Sequence, residues 1–392
     1  MFGVTSMAAD VVYEGARSVY GPLLASLGAT AVVVGLVTGA GEAAALVLRL
    51  VSGPWTDRTG RYWGVTIAGY ALTIVSVPLL AVTPFLGAAG LAVASVLILL
   101  ERTGKAVRSP AKTALLARAA QHVGRGRGFG VHKALDQAGA FAGPLLVAAV
   151  VAVTGALWTG LAVLAVPGAV AMLVLLATRA NSPQPQDEHP AATTPPPAEA
   201  PRGWVAQASG AGLGPAFFWY AAAASLMTGG LVTFGLIGYH LVVEGLVSDA
   251  VVPLVYAAAM LAEAAGALAV GWWYDRVGPR VLYAVPVLVA VVPALAMGGV
   301  LWVAVVGVLV WGLAFGLQDS TIKALVADIV DAPRRATAYG VFAAIQGVTA
   351  VGGGLLAGWL YEQSLTSLVV VIAAVQLAAA ALLARALRLL HP

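Results

Sequence analysis

The chain has 392 residues, of which 60% are hydrophobic and 10% are charged, and its formal net charge is +4. Soluble domains carry about 25% charged residues, and the apolar residues here form runs of about 20, the length that crosses a bilayer. These features exclude a water-soluble globular protein. The sequence contains no cysteine, which also excludes disulfides and thiolate metal sites.

The first apolar run starts near residue 7 and contains acidic side chains. Asp10 and Glu14 interrupt it, and no basic region precedes it, so we expect no cleaved signal peptide. Eleven more runs follow. They predict an all-α membrane protein with twelve transmembrane helices, near residues 7–28, 30–52, 62–82, 86–117, 129–152, 156–178, 215–241, 250–272, 280–298, 300–326, 337–360 and 365–384.

A different composition separates the sixth run from the seventh. Seven prolines and three acidic residues lie between Asn181 and Pro201. Such a stretch cannot bury a core and is typical of a flexible, partly extended linker. The predicted organisation is a six-helix bundle at residues 1–180, a Pro-rich cytoplasmic linker at 181–212 and a second, pseudo-symmetric six-helix bundle at 213–392.

Basic residues are concentrated in one set of the predicted loops. If the N-terminus is cytoplasmic, the cytoplasmic loops and the C-terminal tail hold 13 of the 21 Lys and Arg residues, and the opposite loops hold none. Lys and Arg favour the cytoplasmic side of a membrane. We therefore expect a multi-pass protein of the cell inner membrane with both termini in the cytoplasm.

A charged, glycine-rich sequence of the form G-x-x-x-D-R-x-G occurs twice. One copy is in Gly53–Arg61, after the second run, and the other is in Gly271–Arg280, after the eighth run. We interpret each as a polar turn between two helices. The two six-run regions also match at an offset of 210 residues, where Gly143 corresponds to Gly353. Like-oriented repeats predict an axis along the membrane normal with a path between them.

Through these two motifs the sequence resembles the major facilitator superfamily over nearly its whole length. The resemblance implies a twelve-helix fold with alternating access, in which the motif residues help to hold the cytoplasmic side closed. Pro54, Trp55 and Pro279 depart from the usual pattern of that family. Alternatively, the motif arginines only anchor their loops on the cytoplasmic side of the membrane, which Lys and Arg favour. The implied gate residues are Gly53, Asp57, Arg58, Gly60, Arg61, Gly271, Asp275, Arg276 and Gly278.

Charged residues inside the predicted helices recur at helical spacing. Asp10, Glu14 and Arg17 are spaced i, i+4 and i+7 in the first helix, which places them on one face. Charged faces of membrane helices turn toward a bundle interior or a water path. The resemblance implies that the first and fourth helices line this path. The predicted pathway residues are Asp10, Glu14, Arg17, Glu101, Arg102, Lys105, Arg108, His132 and Asp136.

Two roles are open for these charges. As structure, acids and bases satisfy one another and lock the bundle. As function, a buried acid takes up and releases a proton as the pathway alternates. We rank Glu14 and Asp10 first as proton carriers, because they lie together on one face. Alternatively, Arg102, Lys105 and Arg108 bind an anionic substrate.

The predicted helices contain further charged and aromatic residues with candidate roles. We interpret Arg49 and Lys112 as side chains near the cytoplasmic ends of their helices that reach the surface there. Glu42 and Glu263 occupy roughly corresponding places, and either could face the path. Trp302 and Trp311 are candidates for the pathway wall, with core packing as the favoured role.

Gly139, Gly143 and Pro144 form a G-x-x-x-G-P sequence in the fifth predicted helix. Small residues four apart allow close helix packing, and proline locally interrupts the helical hydrogen bonds. The sequence resembles part of a motif of proton-coupled antiporters in this superfamily, without that motif's further glycines. It favours export, and a plain helix-packing site is the alternative.

The sequence has no catalytic dyad, nucleotide loop or cluster with metal-ligand spacing. We therefore expect neither an enzyme nor a metal, cofactor or nucleic-acid partner. The sequence predicts a monomeric secondary active transporter whose partners are a small-molecule substrate, protons and the lipid bilayer. The preferred function is proton-coupled efflux, and the alternative is a facilitator or proton symporter that imports an anionic metabolite.

Overall fold

A computed structural model of the chain describes residues 1–120, 124–181, 213–330 and 334–390. Regular structure in these ranges is helical and includes no strand, which confirms the all-α prediction. The predicted linker at 181–212 lies outside the described residues, apart from Asn181. The division into two bundles therefore stays a prediction, and we refer below only to an N-terminal part, residues 1–181, and a C-terminal part, residues 213–390.

Long helices fill both parts and are joined by short turns. The N-terminal part contains α1 (Phe2–Arg17), α2 (Tyr20–Ser26), α3 (Ala31–Thr59), α4 (Tyr62–Leu79), α5 (Gly90–Ala119), α6 (Arg125–Thr154), α7 (Leu157–Ala162) and α8 (Ala165–Ala180). The C-terminal part contains α9 (Pro215–Gly230), α10 (Phe234–Val243), α11 (Val252–Val277), α12 (Ala284–Ala296), α13 (Leu301–Ile329), α14 (Arg335–Gln363) and α15 (Leu365–Leu390). Short 3₁₀ turns follow α4, at Leu80–Phe85 and Gly87–Ala89, and α11, at Gly278–Tyr283.

Ten helical stretches of the described residues are long and apolar enough to cross a membrane. The difference from the predicted twelve has two sources. The helix α1 has only 16 residues and carries three charged side chains, and Val252–Ala296 forms one helical stretch of 45 residues. At about 1.5 Å per residue, that stretch is long enough for two crossings. The count of twelve stays a prediction.

The two G-x-x-x-D-R-x-G sequences are helical rather than turns, so that interpretation was wrong. The helix α3 continues through the first motif to Thr59, and α11 continues through the second to Val277. The helices end at Gly60 and Gly278, whose φ angles are +66° and +63°. Glycine adopts positive φ without a steric penalty, so the last glycine of each motif marks the helix end and the first does not.

Helices pack within each part and across the two parts. In the N-terminal part α1 packs on α6 and α8, and α5 packs on α3 and α4; in the C-terminal part α13 packs on α11 and α12, and α9 packs on α14 and α15. Across the parts, α3 packs on α14, α6 on α11 and α2 on α10. These packed faces bury a largely aliphatic core.

Glycines bring α3 and α14 close together near the start of α3. A Cβ on Gly35 would collide with the carbonyl oxygen of Gly354, so only glycine fits this crossing. Nearby, the backbone N–H of Val32 donates to Oε1 of Glu362 across the parts, at 2.9 Å. We call this region the contact end. The motif end lies at the other end of α3 and α11, where the two repeated motifs stand.

Candidate functional site

A cavity of about 410 Å³ lies between the N-terminal and C-terminal parts. Residues of α1, α3, α5 and α6 form one wall, and residues of α9, α11, α13 and α14 form the other. Along α3 the wall runs from Gly39 to Arg49, between the contact end and the motif end. Pockets of about 300–1,000 Å³ hold small organic molecules, so the cavity has the size of a small-solute site.

The two walls differ in charge. Seven of the nine predicted pathway residues line the cavity, while Glu101 and His132 are not among its lining residues. The described side chains of the C-terminal wall include two charged ones, Glu263 and Asp319. The N-terminal wall carries eleven: Asp10, Glu14, Arg17, Glu42, Arg49, Arg102, Lys105, Arg108, Lys112, Lys133 and Asp136.

Glu42 joins two arginines from different helices. Its Oε1 accepts a hydrogen bond from Nη2 of Arg17 at 2.6 Å and lies 3.4 Å from Nη2 of Arg102. Both arginine side chains are at least nine-tenths buried, whereas the Glu42 side chain is 28% exposed. A buried guanidinium needs an anionic partner because it keeps its charge at any accessible pH. Glu42 supplies that partner from α3.

Glu14 connects the charged wall to the opposite part of the chain. Its Oε2 accepts a hydrogen bond of 2.5 Å from the hydroxyl of Tyr256 on α11. The same carboxylate lies 3.8 Å from Arg17 and 3.7 Å from Lys105. A change in the charge of Glu14 would therefore alter contacts within the N-terminal part and across the two parts at once.

Tyr13 lies between the cations of α5. Arg102 donates a hydrogen bond to its hydroxyl, and the Lys105 ammonium lies 3.2 Å from the centroid of its ring. Cations over an aromatic face gain about 0.5–2 kcal/mol, more when desolvated. Tyr13 thus holds Arg102 and Lys105 toward the cavity without adding a charge.

Glu101 lies behind the cavity wall and is fully buried. Its Oε2 accepts from the Tyr20 hydroxyl at 3.2 Å and lies 3.6 Å from Nε of Arg102. Its Oε1 has no hydrogen-bond partner in the part of the chain that the structure describes. Because Arg102 also contacts Glu42, the buried carboxylate and the cavity carboxylate share one arginine.

A second group of polar residues stands on α1, α5 and α6, farther along the same wall. Nε2 of His132 and Nζ of Lys112 lie 3.6 Å and 4.0 Å from Oδ2 of Asp136, and Lys112 donates to Oγ of Ser6 at 2.9 Å. Lys112 therefore lies on the cavity wall and does not extend to a surface, which corrects its interpretation from sequence. Asp10 lines the cavity from α1.

Arg108 is held against α4. Its Nη1 donates to Oγ1 of Thr73 at 2.6 Å, and its guanidinium carbon lies 4.5 Å from the centroid of the Tyr70 ring. The side chain lines the cavity but is 4% exposed. Arg108 thus has Thr73 and Tyr70 as its partners, whereas Arg17, Arg102, Lys105 and Lys112 meet carboxylates at the cavity.

Aromatic and neutral side chains form the C-terminal wall. Nε1 of Trp311 donates to the carbonyl of Val232 at 2.7 Å, and the Trp311 ring stacks on Phe315. Gln346 donates to Thr228 at 3.0 Å. Trp311 is 1% exposed, as the favoured core packing predicts, and it also lines the cavity. Trp302 is 71% exposed at the start of α13, so both core packing and a place on the wall were wrong for it.

Sequence reasoning missed the part played by Glu42 and by the tyrosines. Glu42 is the one carboxylate of α3 ahead of the motif, within a largely apolar stretch, and such a residue needs a cationic partner; that signal was available. Tyr13 stands next to Glu14 in the sequence, but Tyr256 is 242 positions away from it. Nothing local in the sequence indicates that contact.

Comparison with known proteins identifies the family. The family model of the Major Facilitator Superfamily matches residues 4–246 and 241–392. The chain belongs to the Major Facilitator Superfamily. Uncharacterized proteins of Mycobacterium tuberculosis and Mycobacterium bovis are each 51% identical to it over 381 residues, which cover 97% of this chain and 90% of each relative.

Solved structures of this fold include transporters. The nucleoside transporter NupG aligns with a TM-score of 0.70 at 14% identity, over 100% of this chain and 98% of that one. The D-xylose-proton symporter aligns with a TM-score of 0.66 at 14% identity, over 97% and 96%. A peptide transporter POT in complex with sulfate aligns at 0.73 and 15% identity, over 99% and 93%. The chain is thus an integral membrane transporter and not an enzyme.

The charged motif residues through which the sequence resembles this superfamily are exposed at the motif end. Oδ1 of Asp57 accepts from the hydroxyl of Tyr62 at 3.0 Å, and the Arg276 guanidinium lies over the Trp272 ring, 3.2 Å from its centroid. Both contacts stay within one part of the chain. The gate role of these motifs stays a prediction.

The G-x-x-x-G-P sequence of α6 packs on α1. A Cβ on Gly143 would collide with the carbonyl oxygen of Val11, and one on Gly139 with that of Met7. The close approach supports the helix-packing interpretation of these glycines. Within the described residues, no group of three or more His, Cys, Asp or Glu could hold a metal ion.

Proposed function

We propose that the chain is a proton-coupled secondary transporter that moves a small solute by alternating access. Two six-helix bundles, residues 1–180 and 213–392, enclose the cavity and are joined by the linker at 181–212. Twelve spans lie in the inner membrane, with both termini in the cytoplasm. Family membership and the one-sided distribution of basic residues support this arrangement.

The observation that carries the proposal is the position of Glu14. Its carboxylate lies between Arg17 and Lys105 and accepts a hydrogen bond from Tyr256 of the other part. A proton on Glu14 removes the charge that Arg17 and Lys105 pair with, and weakens a charge-assisted hydrogen bond that joins the two parts. Proton binding at this one residue thus biases the movement of one bundle against the other.

The remaining acids of the N-terminal wall extend this role. Asp10 and Asp136 line the same cavity nearer the motif end, and we assign them to the passage of protons between Glu14 and the cytoplasm. Glu101 and His132 support the wall from behind. Arg17 and Lys105 contact Glu14, and Arg102 contacts Glu101, so these cations hold the acids in place along the wall.

The motif end is the proposed cytoplasmic gate. The contact end is closed by the packing of α3 on α14, and the tight contacts described above lie there. In the other state of the cycle, Asp57 and Arg58 of one bundle and Asp275 and Arg276 of the other close the cytoplasmic side. The transporter works as a monomer in the lipid bilayer.

Two coupling modes are candidates, each with its own support. Export in exchange for protons is favoured by the resemblance of Gly139, Gly143 and Pro144 to part of an antiporter motif. Transport of an anion together with a proton is favoured by Glu42, because its protonation would free Arg17 and Arg102 for another anion. Glu14 passes the proton in both modes, and in the symport mode Glu42 is the carboxylate that holds it while the anion is bound.

Proton flux in proteoliposomes tests the proposal. Purified full-length protein is reconstituted with a pH-sensitive dye inside the vesicles, and solutes that stabilise the protein against heating are added outside. An inward solute gradient should carry protons inward in the symport mode and outward in the antiport mode. Solute transport without any substrate-dependent proton movement would contradict the proposal.

A further inference from the structure

Glu42 fills an anion site that two arginines build. Arg17 approaches its Oε1 from α1 and Arg102 from α5, at 2.6 Å and 3.4 Å. The arginines are 8% and 4% exposed in their side chains, so water does little to stabilise their charge. Glu42 is more exposed than either, and it faces the cavity. Its carboxylate is the member of this group that a solute can replace.

The charges of this group limit what can replace it. Arg17, Arg102 and Lys105 stand against Glu14, Glu42 and Glu101, three cations against three anions. Buried charge without a partner is costly. A solute with one negative charge keeps the group neutral if one proton enters with it and neutralises one carboxylate. A cationic solute would instead add a charge next to two guanidinium groups.

The opposite wall indicates the rest of the solute. Phe315 lies across from Arg17, with the guanidinium carbon 5.3 Å from the ring centroid, and Trp311 stacks on Phe315. Met260 lines the cavity beside them. Aromatic and thioether side chains bind apolar groups. A molecule bound at the arginines would extend its other end toward this apolar surface.

Charged and polar side chains of the neighbouring helices surround Glu42. Lys105 of α5 and Arg49 of α3 itself add to the positive field of the two arginines. From the C-terminal part, α14 presents the neutral Gln346 to the cavity, and Glu362 of α14 lies at the contact end. In the empty site the cations and Glu42 pair with one another, and a competing anion would take over the arginine contacts of Glu42.

We propose that the substrate is an organic monoanion with an apolar, aromatic-sized body, whose carboxylate replaces Glu42 on Arg17 and Arg102 while Glu42 takes up a proton. This inference rests on the proposed transport function and selects its symport mode. Glu42 acts as an internal competitor that keeps the arginines paired when no solute is bound. No bond is made or broken except the O–H bond of the protonated Glu42.

Binding measurements on the full-length protein in detergent test the inference without any transport step. The probes are arylalkyl carboxylates such as 3-phenylpropionate, each with the primary amide and the primary amine of the same carbon skeleton. We expect the carboxylates to stabilise the wild-type protein against heating and the amides and amines to have no effect. Preference for amines or amides, or no carboxylate binding, would overturn the inference.

The pH dependence gives a second readout between pH 6 and pH 8, where the probes stay ionised. Wild-type affinity for the carboxylate should rise as the pH falls, by at most about tenfold per pH unit for one proton taken up. In Glu42→Gln we expect about tenfold tighter binding at pH 7, because the competitor is gone, and no pH dependence. The matched control is Glu244→Gln, the same change outside the cavity, which should behave as wild type.

Each outcome decides the question. Unchanged or weaker carboxylate binding in Glu42→Gln would overturn the internal-competitor role. If that variant does not fold, the selectivity and pH slope of the wild-type protein decide alone. Carboxylate binding without proton flux in vesicles would support the anion site and contradict proton coupling. Proton flux driven only by cationic solutes would support proton coupling and contradict the anion site.

Discussion

The N-terminal wall of the cavity holds its polar groups by pairing charges, whereas the C-terminal wall has two described charged side chains, Glu263 and Asp319, and otherwise uses neutral hydrogen bonds and aromatic packing. Glu42 and Glu14 each contact two cations, while Trp311 and Gln346 donate to a carbonyl and a hydroxyl. Ion pairs respond to protons and to charged solutes, and neutral hydrogen bonds do not. We therefore expect proton and solute coupling to depend on the N-terminal wall, while the C-terminal wall gives the cavity its shape.

The two parts nevertheless share a way of packing. Gly143 of α6 meets the backbone of α1, and Gly353 of α14 meets the backbone of α9 at Gly229. These two glycines correspond at the 210-residue offset seen in the sequence. The helix crossings are thus repeated, while the charges that line the cavity are not. The comparison separates residues that keep the scaffold from residues that carry function.

The largest effect on stability should follow loss of a cation from the charged wall. Arg17→Gln leaves Glu42 and Glu14 with one partner fewer, and breaking a buried ion pair costs about 3–5 kcal/mol. We expect a clear fall in the thermal unfolding temperature in detergent. The control Arg276→Gln removes an exposed arginine and should change it little. Equal effects of the two changes on the unfolding temperature would show that the ion pairs of Arg17 do not stabilise the protein.

A smaller loss should follow from filling the shared helix crossings. Gly143→Ala and Gly353→Ala each force a methyl group against a backbone carbonyl, and overpacking costs about 1–3 kcal/mol. Gly340→Ala is the matched control, because nothing lies within 4 Å of its added Cβ. It should be neutral or stabilising. Thermal unfolding of the three variants checks this, and a tolerant Gly353 would show that the crossings are not equivalent.

The smallest effect is expected on the neutral wall. Gln346→Leu removes the hydrogen bond to Thr228 and keeps the side-chain volume, which costs about 1 kcal/mol. Thr228 retains its bond to the carbonyl of Ala224 at 3.0 Å. Proton coupling should be unchanged, measured as protons moved per solute in vesicles. A changed ratio would mean that the C-terminal wall takes part in coupling.

Much of the fold and part of the site could be predicted from sequence because the signals are local. Lengths of apolar runs indicated a helical membrane protein, and helical spacing placed Asp10, Glu14 and Arg17 on one face. The repeated motif indicated the superfamily. The helix ends at the two motifs were predicted wrongly, because the first glycine of each motif is compatible with a helix. Among the motif glycines, the last one of each copy, Gly60 or Gly278, adopts positive φ and ends the helix.

The pairing of side chains could not be predicted in the same way. The contact of Tyr256 with Glu14 and the meeting of Glu42 with two arginines depend on how distant helices cross. Spacing along one helix indicates which of its residues share a face, but it does not indicate which residues of other helices contact that face. Lys112 was misplaced for the same reason, since its partners Ser6 and Asp136 stand on other helices.

The central claim is that Glu14 links proton binding to movement of the two parts. The most direct measurement compares two activities of Glu14→Gln in vesicles, using the solute that stabilises the wild-type protein most. We predict that proton-driven accumulation is lost while exchange of labelled solute across the membrane continues, because the amide cannot release a proton. Accumulation against a gradient at the wild-type level would contradict the account and leave Glu14 with a structural role.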